Sequence, residues 1–279
     1  MNYRHAFHAG NFADVVKHAA LALVIAHLKR KEAPFLVLDT HAGIGVYDLA
    51  APEAEKTGEW KGGIGRVLAA AAVPDELAPY LEVVAGLNPE GGIRRYPGSP
   101  MVARRLMRAQ DRLALVELHP EDHGELARRF AGHARVGLHR MDGYAALTAL
   151  LPPPERRGVV LIDPPYEDRD ELARLCRALA QAGRRWPTGI YLAWYPIKAK
   201  APVDRFLAEL AMQGLPAVLA AEIRLRGGDD PATLNGCGLA VVNPPWQFDA
   251  AMAAMLPWLA DTLAPEDGGW RLDWVVRPA

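Results

Sequence analysis

Phe35-Leu36-Val37-Leu38-Asp39-Thr40-His41-Ala42-Gly43-Ile44-Gly45 reads as a short buried strand that runs into a glycine-bearing loop. Four apolar residues in succession suit a strand covered on both faces, as in parallel sheets. Glycines directly after such a strand let the backbone approach a ligand closely, a job for a nucleoside or a phosphate. The loop has the form D-x-x-x-G-x-G. It lacks the Lys-Ser/Thr of a phosphate-binding loop and is not G-x-G-x-x-G, so the ATPase and NAD readings both lose ground.

Upstream of this strand, Asn11 is placed to cap a helix running to about Arg30. Its stripe of Val15, Val16, Ala19, Ala20, Leu23, Val24 and Leu28 recurs at helical spacing, and Pro34 stops it. Downstream, apolar strands are expected at 113–118, 135–139, 159–162, 190–194, 221–225 and 238–242. Helical stretches at 100–109, 123–131, 144–151, 171–182 and 203–213 separate most of them. Strands alternating with helices predict a doubly wound α/β fold with a mostly parallel seven-stranded sheet. One spacing is irregular, because a βαβ unit needs only ~30 residues and the second strand starts at Leu113. Residues 46–96 are surplus, with helix-like pieces at 65–72 and 75–87. They read as a small helical insertion on the loop side of the sheet, within a single domain spanning 1–279.

Composition narrows the class further. The 279 residues are 51% hydrophobic and 23% charged, the balance of one elaborated α/β domain. No apolar run reaches the ~18 residues of a membrane span, and the N-terminus lacks a signal-peptide core. Two cysteines, Cys176 and Cys237, make neither a disulfide framework nor a four-sulfur zinc site. These points predict a cytoplasmic protein without a membrane partner. A net charge of −1 argues against binding nucleic acid by bulk charge, but leaves room for a local basic patch. All nine histidines lie between His5 and His139, which puts the unusual polar chemistry in the N-terminal half.

Two acids strengthen the nucleotide reading of the glycine loop. Glu117 closes the strand that starts at Leu113, where a carboxylate can accept both ribose hydroxyls. Asp142 follows the next strand, where a carboxylate commonly accepts an adenine amino group. Each alone is an ordinary turn acid; together with the loop they form a pattern. Ser99-Pro100 reads as a helix cap followed by a proline in the first turn, with a hydroxyl that can also touch ligand.

Val159-Val160-Leu161-Ile162-Asp163-Pro164-Pro165-Tyr166 carries the chemistry. A buried strand ends in an acid, two prolines and an aromatic ring. The prolines stiffen the turn, so the Asp163 carboxylate and the Pro164 carbonyl have fixed directions. A planar exocyclic amine offers two protons to two such acceptors, which steers its lone pair towards an incoming methyl group. Tyr166 supplies a face on which a purine can stack. Val241-Val242-Asn243-Pro244-Pro245-Trp246 has the same form, but it follows the last expected strand with no glycine loop after it. Asp163 is therefore the expected catalytic residue, and the second tetrapeptide a turn whose Trp packs the sheet edge. A glycine loop, then two acids, then Asp-Pro-Pro-Tyr is the order found in S-adenosylmethionine-dependent amino-methyltransferases.

Tyr3-Arg4-His5-Ala6-Phe7-His8-Ala9-Gly10-Asn11-Phe12-Ala13-Asp14-Val15-Val16-Lys17-His18 is too polar and aromatic for a plain leader. With Asp39-Thr40-His41-Ala42-Gly43 and Asp163-Pro164-Pro165-Tyr166, it closely resembles the RlmJ family of 23S ribosomal RNA adenine-N6 methyltransferases, nearly end to end. The resemblance implies a Rossmann-like methyltransferase fold with a small helical subdomain. It implies methyl transfer from S-adenosylmethionine, leaving S-adenosylhomocysteine, to N6 of one adenine (position 2030) in 23S ribosomal RNA. It further implies that Lys17, His18, His41, Ser99, Glu117, Asp142, Gly143 and Asp163 contact the donor, with Asp163 also catalytic. Tyr3, with Pro164 and Tyr166, would lie against the RNA base. No obligate protein partner is expected, and the chain is read as a monomer.

Two rival readings remain at this point. His5, His8, His18 and His41 suggest a metal site, but their spacing matches no helix-borne ligand pair, and methyl transfer to an amine needs no metal. The expectation is no metal. A DNA adenine-N6 methyltransferase is the second rival, and a protein glutamine methyltransferase a more distant one. The residues after Tyr166 are needed to complete the sheet, which leaves recognition to the N-terminal segment and the 46–96 insertion. Arg94-Arg95 and Arg104-Arg105 are candidate phosphate contacts there, although any one of them also reads as a solvated face. Such local elements suit a structured RNA around an unstacked adenine better than a duplex read by its grooves.

Overall fold

The computed structural model describes residues 4–228 and 230–278. A 3-10 turn (His5–Phe7) leads into α1 (Phe12–Leu28), where Asn11 is the N-cap and accepts a hydrogen bond from the Asp14 N–H at 3.0 Å. β1 (Leu36–Asp39) and β2 (Val46–Asp48) precede four short helices, α2 (Pro52–Thr57), α3 (Glu59–Gly62), α4 (Ile64–Ala69) and α5 (Ala78–Gly86). Then come β3 (Arg95–Pro97), α6 (Ser99–Leu106), β4 (Arg112–Val116), α7 (Pro120–Arg129), β5 (Val136–His139), α8 (Gly143–Leu150) and β6 (Gly158–Ile162). The chain continues through α9 (Glu171–Arg185), β7 (Ile190–Ile197), α10 (Lys200–Ala211), β8 (Val218–Arg224), β9 (Gly236–Val242), α11 (Phe248–Leu263) and β10 (Gly269–Val276). No helix among the described residues is long and apolar enough to cross a membrane.

The main sheet runs β10-β8-β9-β7-β6-β1-β4-β5. β1 pairs in parallel with both β4 and β6, β5 extends β4, and β7 extends β6. β9 lies antiparallel between β7 and β8, and β10 is antiparallel to β8. The sheet thus has eight strands, not the expected seven. The extra one, β10, is an edge strand whose Arg271 and Asp273 interrupt the apolar run that marks a buried parallel strand. Successive side chains alternate faces, as pleating requires. Val37, Leu113, Leu115, Val159 and Leu161 pack with α1, α5, α6 and α11, whereas Leu36, Leu38, Ala114, Val160 and Ile162 pack with α8, α9 and α10. The strand order turns back at β1, so the carboxyl ends of β1, β4, β5 and β6 meet around one crevice, where α/β sheets bind ligands.

Residues 46–96 hold α2 to α5 between β2 and β3, which pair as an antiparallel ribbon. These helices also grip the N-terminal segment. The Ile64 N–H donates to the Gly10 carbonyl at 2.9 Å, the Thr57 hydroxyl donates to the Phe7 carbonyl, and Asn11 donates to Glu59 at 3.0 Å. Contact is closest at Gly63, where a Cβ would lie 2.1 Å from the Gly10 oxygen. Its neighbour Gly62 has open space on that side. Gly63→Ala is therefore expected to destabilise the protein by about 1–3 kcal/mol, as overpacking against backbone does. Gly62→Ala should stay within about 1 kcal/mol of the parent. Urea unfolding midpoints of the two variants check the contrast.

Candidate active site

One cavity of about 420 Å³ opens at the carboxyl ends of β1, β4, β5, β6 and β7. That volume lies within the range of small-ligand and cofactor pockets. The loop after β1 forms its floor and continues the sheet ladder. The Thr40 N–H donates to the Leu161 carbonyl at 3.1 Å, and the Ala42 N–H to the Val116 carbonyl at 2.9 Å. Gly43 and Gly45 then turn with φ of 58° and 83°, in the left-handed region that glycine tolerates.

Glu117, just past β4, is the acid that shapes this loop. Its carboxylate accepts from the Gly43 N–H at 2.9 Å and the His119 N–H at 2.8 Å. Burial pushes its pKa above the usual carboxylate value. The two bonds aim the group and leave lone pairs of both oxygens for a ligand's hydroxyls. Asp142 caps α8, accepting from the Ala145 N–H at 2.9 Å, and its other oxygen takes the Arg174 guanidinium at 2.9 Å. Gly143 opens α8 on the cavity wall, and a Cβ there would lie 2.4 Å from the Thr40 carbonyl oxygen. The His41 ring nitrogen Nδ1 lies 2.8 Å from the Thr40 hydroxyl, and burial pushes the ring down to about 4, so it is neutral at pH 7.

Ser99 corrects the capping expectation. Gly98 is the N-cap of α6, no side chain caps this helix, and the buried Ser99 lies beside Asp39, whose pKa it works to lower. Asp39 ends β1 under the loop, where burial pushes it up to about 6. The Ser99 side chain thus reaches the acid at the end of β1 while Ser99 also lines the cavity.

The opposite side of the cavity is built on Asp163. Its Oδ2 is 2.5 Å from the Lys17 ammonium, whose other contact is Asp14 at 2.8 Å. Burial works to lower the Lys17 pKa, but the charges of Asp14 and Asp163 outweigh it and hold the ammonium well above its ordinary value. Pro164 and Pro165 line the wall, and Tyr166 follows with φ of 52°. The Tyr166 hydroxyl donates to the Trp194 carbonyl at 2.6 Å, and the two rings meet edge to face at 5.5 Å. That bond fixes the plane of the Tyr166 ring. His18 also lines the cavity, with Nδ1 2.9 Å from the Tyr96 hydroxyl and a pKa that burial lowers to about 3.

Several residues here escaped the sequence reading. Tyr144 lies under the Arg174 guanidinium at 4.2 Å and donates to Glu171 at 2.7 Å, and Trp194 backs Tyr166. Glu171 and Arg174 are polar positions on an otherwise amphipathic helix, and no spacing announces that α9 meets the Asp142 loop. Tyr3 lies outside the described residues. Among the described residues no group of three or more His, Cys, Asp or Glu is placed to hold a metal ion: His5 and His18 both face Asp14, His8 contacts Glu59 and His41 contacts Thr40. Asn243 follows the antiparallel β9 and so lies at the opposite end of the sheet. Its side chain donates to the Pro187 and Gly189 carbonyls at 2.7 and 2.8 Å, ahead of β7. Trp246 is 77% exposed there and does not pack the sheet edge as expected.

Comparison with known proteins agrees with this architecture. A family model described as ribosomal RNA large subunit methyltransferase D, RlmJ, matches residues 32–276. The chain is 42% identical over 277 residues to the ribosomal RNA large subunit methyltransferase J of Escherichia coli (strain K12), covering 99% of each chain. It is 41% identical over 278 residues to the protein of that name from Haemophilus influenzae, again covering 99% of each. The crystal structure of protein LPL1258 from Legionella pneumophila superposes with a TM-score of 0.88 at 35% identity, over 95% of this chain and 98% of that one. Matched over most of its length by the family model and over nearly all of it by two relatives, the chain belongs to the RlmJ family of ribosomal RNA large subunit methyltransferases.

Proposed function

We propose that this chain transfers a methyl group from S-adenosylmethionine to the N6 amine of one adenine in 23S ribosomal RNA. The observation that supports this reading is a single cavity with two sides. Gly43, Glu117 and Asp142 form a nucleoside cradle on one, and Asp163, Pro164 and Tyr166 form a seat for a planar amine on the other. Bound S-adenosylmethionine supplies a methyl group already activated by its sulfonium charge, so the chain's part is alignment and desolvation. Glu117 accepts ribose hydroxyls with its unused lone pairs, and Asp142 faces the adenine amine while Arg174 holds its other side. Lys17, His18, His41, Ser99 and Gly143 complete the donor wall.

On the substrate side, Lys17 occupies Asp163 Oδ2 and leaves Oδ1 for the amine. The Asp163 Oδ1 atom and the Pro164 carbonyl take the two N6 protons, and Asp163 Oδ1 receives the one shed on methylation. Tyr166, fixed by Trp194, stacks on the purine, and Tyr3, outside the described residues, is the further RNA contact that the family resemblance implies. Recognition falls to the N-terminal segment and to the 46–96 insertion of a single 1–279 domain. Arg4 in the N-terminal segment is paired with Glu121 and Asp122, and of the candidate arginines Arg94 is paired with Asp48. Arg104 and Arg105 lie roughly 8 Å farther along α6 than Ser99, away from the cavity. Arg95, exposed on β3, is the remaining candidate for a phosphate.

Three measurements test the proposal. Asp163→Ala should lower the transfer rate by at least about 100-fold, while Asn243→Ala stays within about threefold, because only the first disturbs substrate alignment. Glu117→Ala should weaken S-adenosylhomocysteine binding by about 10-fold or more in calorimetry, as expected for charge-assisted hydrogen bonds, and ATP and NAD should not bind. Incubation with 23S RNA lacking the modification, and separately with genomic DNA, should yield N6-methyladenosine in one RNA fragment. N6-methyldeoxyadenosine as the main product would instead make the chain a DNA methyltransferase.

A further inference from the structure

Asp14 is among the most enclosed carboxylates beside the cavity, 1% exposed, and no step above uses it. It sits in the first turn of α1, and its two oxygens face different structures. Oδ2 accepts from the Gly10 N–H at 2.9 Å and lies 2.9 Å from His5 Nε2, so it holds the N-terminal segment. Oδ1 lies 2.8 Å from the Lys17 ammonium and 3.8 Å from His18 Nε2. Lys17 is itself only 4% exposed, and its second contact is the Asp163 carboxylate. One buried ammonium is thus shared between the carboxylate that holds the segment and the carboxylate that faces the amine.

A lysine head on a four-carbon stem has no preferred plane, so its direction is set by the charges around it. With Asp14 absent, the Lys17 ammonium would lose one of its two carboxylates and turn a second donor to Asp163, bridging both Asp163 oxygens and covering the one meant for the substrate. We propose that Asp14 is a positioning residue: through Lys17 it keeps one oxygen of Asp163 open for the amine, and through Gly10 and His5 it fastens the N-terminal segment at the cavity mouth. This assignment rests on the methyl-transfer reading above. Burial works to raise the Asp14 pKa, yet His5 and Lys17 hold the group well below the ordinary carboxylate range, consistent with a permanent charge at this point.

The test is a double-mutant cycle of Asp14→Asn and Lys17→Met, measured as RNA methylation at saturating donor and backed by S-adenosylhomocysteine calorimetry. Wild-type activity on RNA is established first, and its absence would refute the methyl-transfer reading itself. Asp14→Asn is expected to lower kcat by about 30-fold while donor affinity changes by no more than about threefold, a split that general loosening of the fold does not give. In the Lys17→Met background the same substitution should cost no more than about threefold, since a residue acting through Lys17 has nothing left to act on. A further loss of about 10-fold or more in that background, or an unchanged kcat for Asp14→Asn alone, overturns the proposal. If Asp14→Asn alone does not fold, the double variant, which leaves neither the Lys17 ammonium nor the Asp14 carboxylate in place, still decides by its comparison with Lys17→Met.

Discussion

Parallel pairing of β1 with β4 on one side and β6 on the other determines where everything else in this molecule goes. A parallel ladder aligns carboxyl ends, so the Gly43–Gly45 loop, Glu117 and Asp163 emerge at the same edge although long stretches of sequence separate them. The ladder also extends past the strand, through Thr40 to Leu161 and Ala42 to Val116, and delivers the loop already anchored on both sides. Ligand-facing backbone of this kind needs no rearrangement to be ready, which is the physical content of preorganisation.

Around that edge the protein accepts an unusual density of buried charge. Asp14, Lys17, Asp39 and Glu117 are all buried, with half-buried Asp163 beside them. Isolated, each would cost several kcal/mol to desolvate, and a buried carboxylate or ammonium is tolerated only when paired and hydrogen-bonded. Lys17 is paired with two carboxylates, Asp14 with Lys17 and the Gly10 N–H, and Glu117 with two backbone N–H groups, whereas Asp39 accepts from the His41 N–H and leaves Oδ2 without a hydrogen bond, in keeping with its raised pKa. Desolvation also keeps the buried His18 and the half-buried His41 neutral at pH 7, so the ammonium of Lys17 is not met by further positive charge from these two rings.

The N-terminal segment owes its place to long-range contacts. It docks through Gly10 on Ile64 and through His8 and Asn11 on Glu59, so helices α3 and α4 of the 46–96 stretch hold the residues that border the cavity. This gives the surplus stretch a structural task that its own composition does not reveal. Arg4 is similarly tied to Glu121 and Asp122 at the start of α7.

Period and order in the chain by themselves determined the α/β class, most strands and helices, and the Asp-Pro-Pro-Tyr turn, because apolar runs and glycine or proline breaks are local signals. Chain order also favoured the first proline tetrapeptide over the second, and it is Asp163 that lines the cavity while Asn243 lies at the opposite end of the sheet. What period and order missed was non-local. β10 is a half-exposed edge strand without a continuous apolar run, and Ser99 is buried one residue past the Gly98 that takes the capping position. Tyr144, Glu171, Arg174 and Trp194 sit on elements whose spacing is that of ordinary amphipathic helices and strands, and only the packing of α8, α9 and β7 around one crevice brings them together. The same holds for Asp14, which reads in sequence as a first-turn acid favoured by the helix dipole. Only folding brings Asp163 to within reach of the Lys17 that Asp14 holds, because a hydrogen bond depends on distance in space and leaves no trace in spacing along the chain.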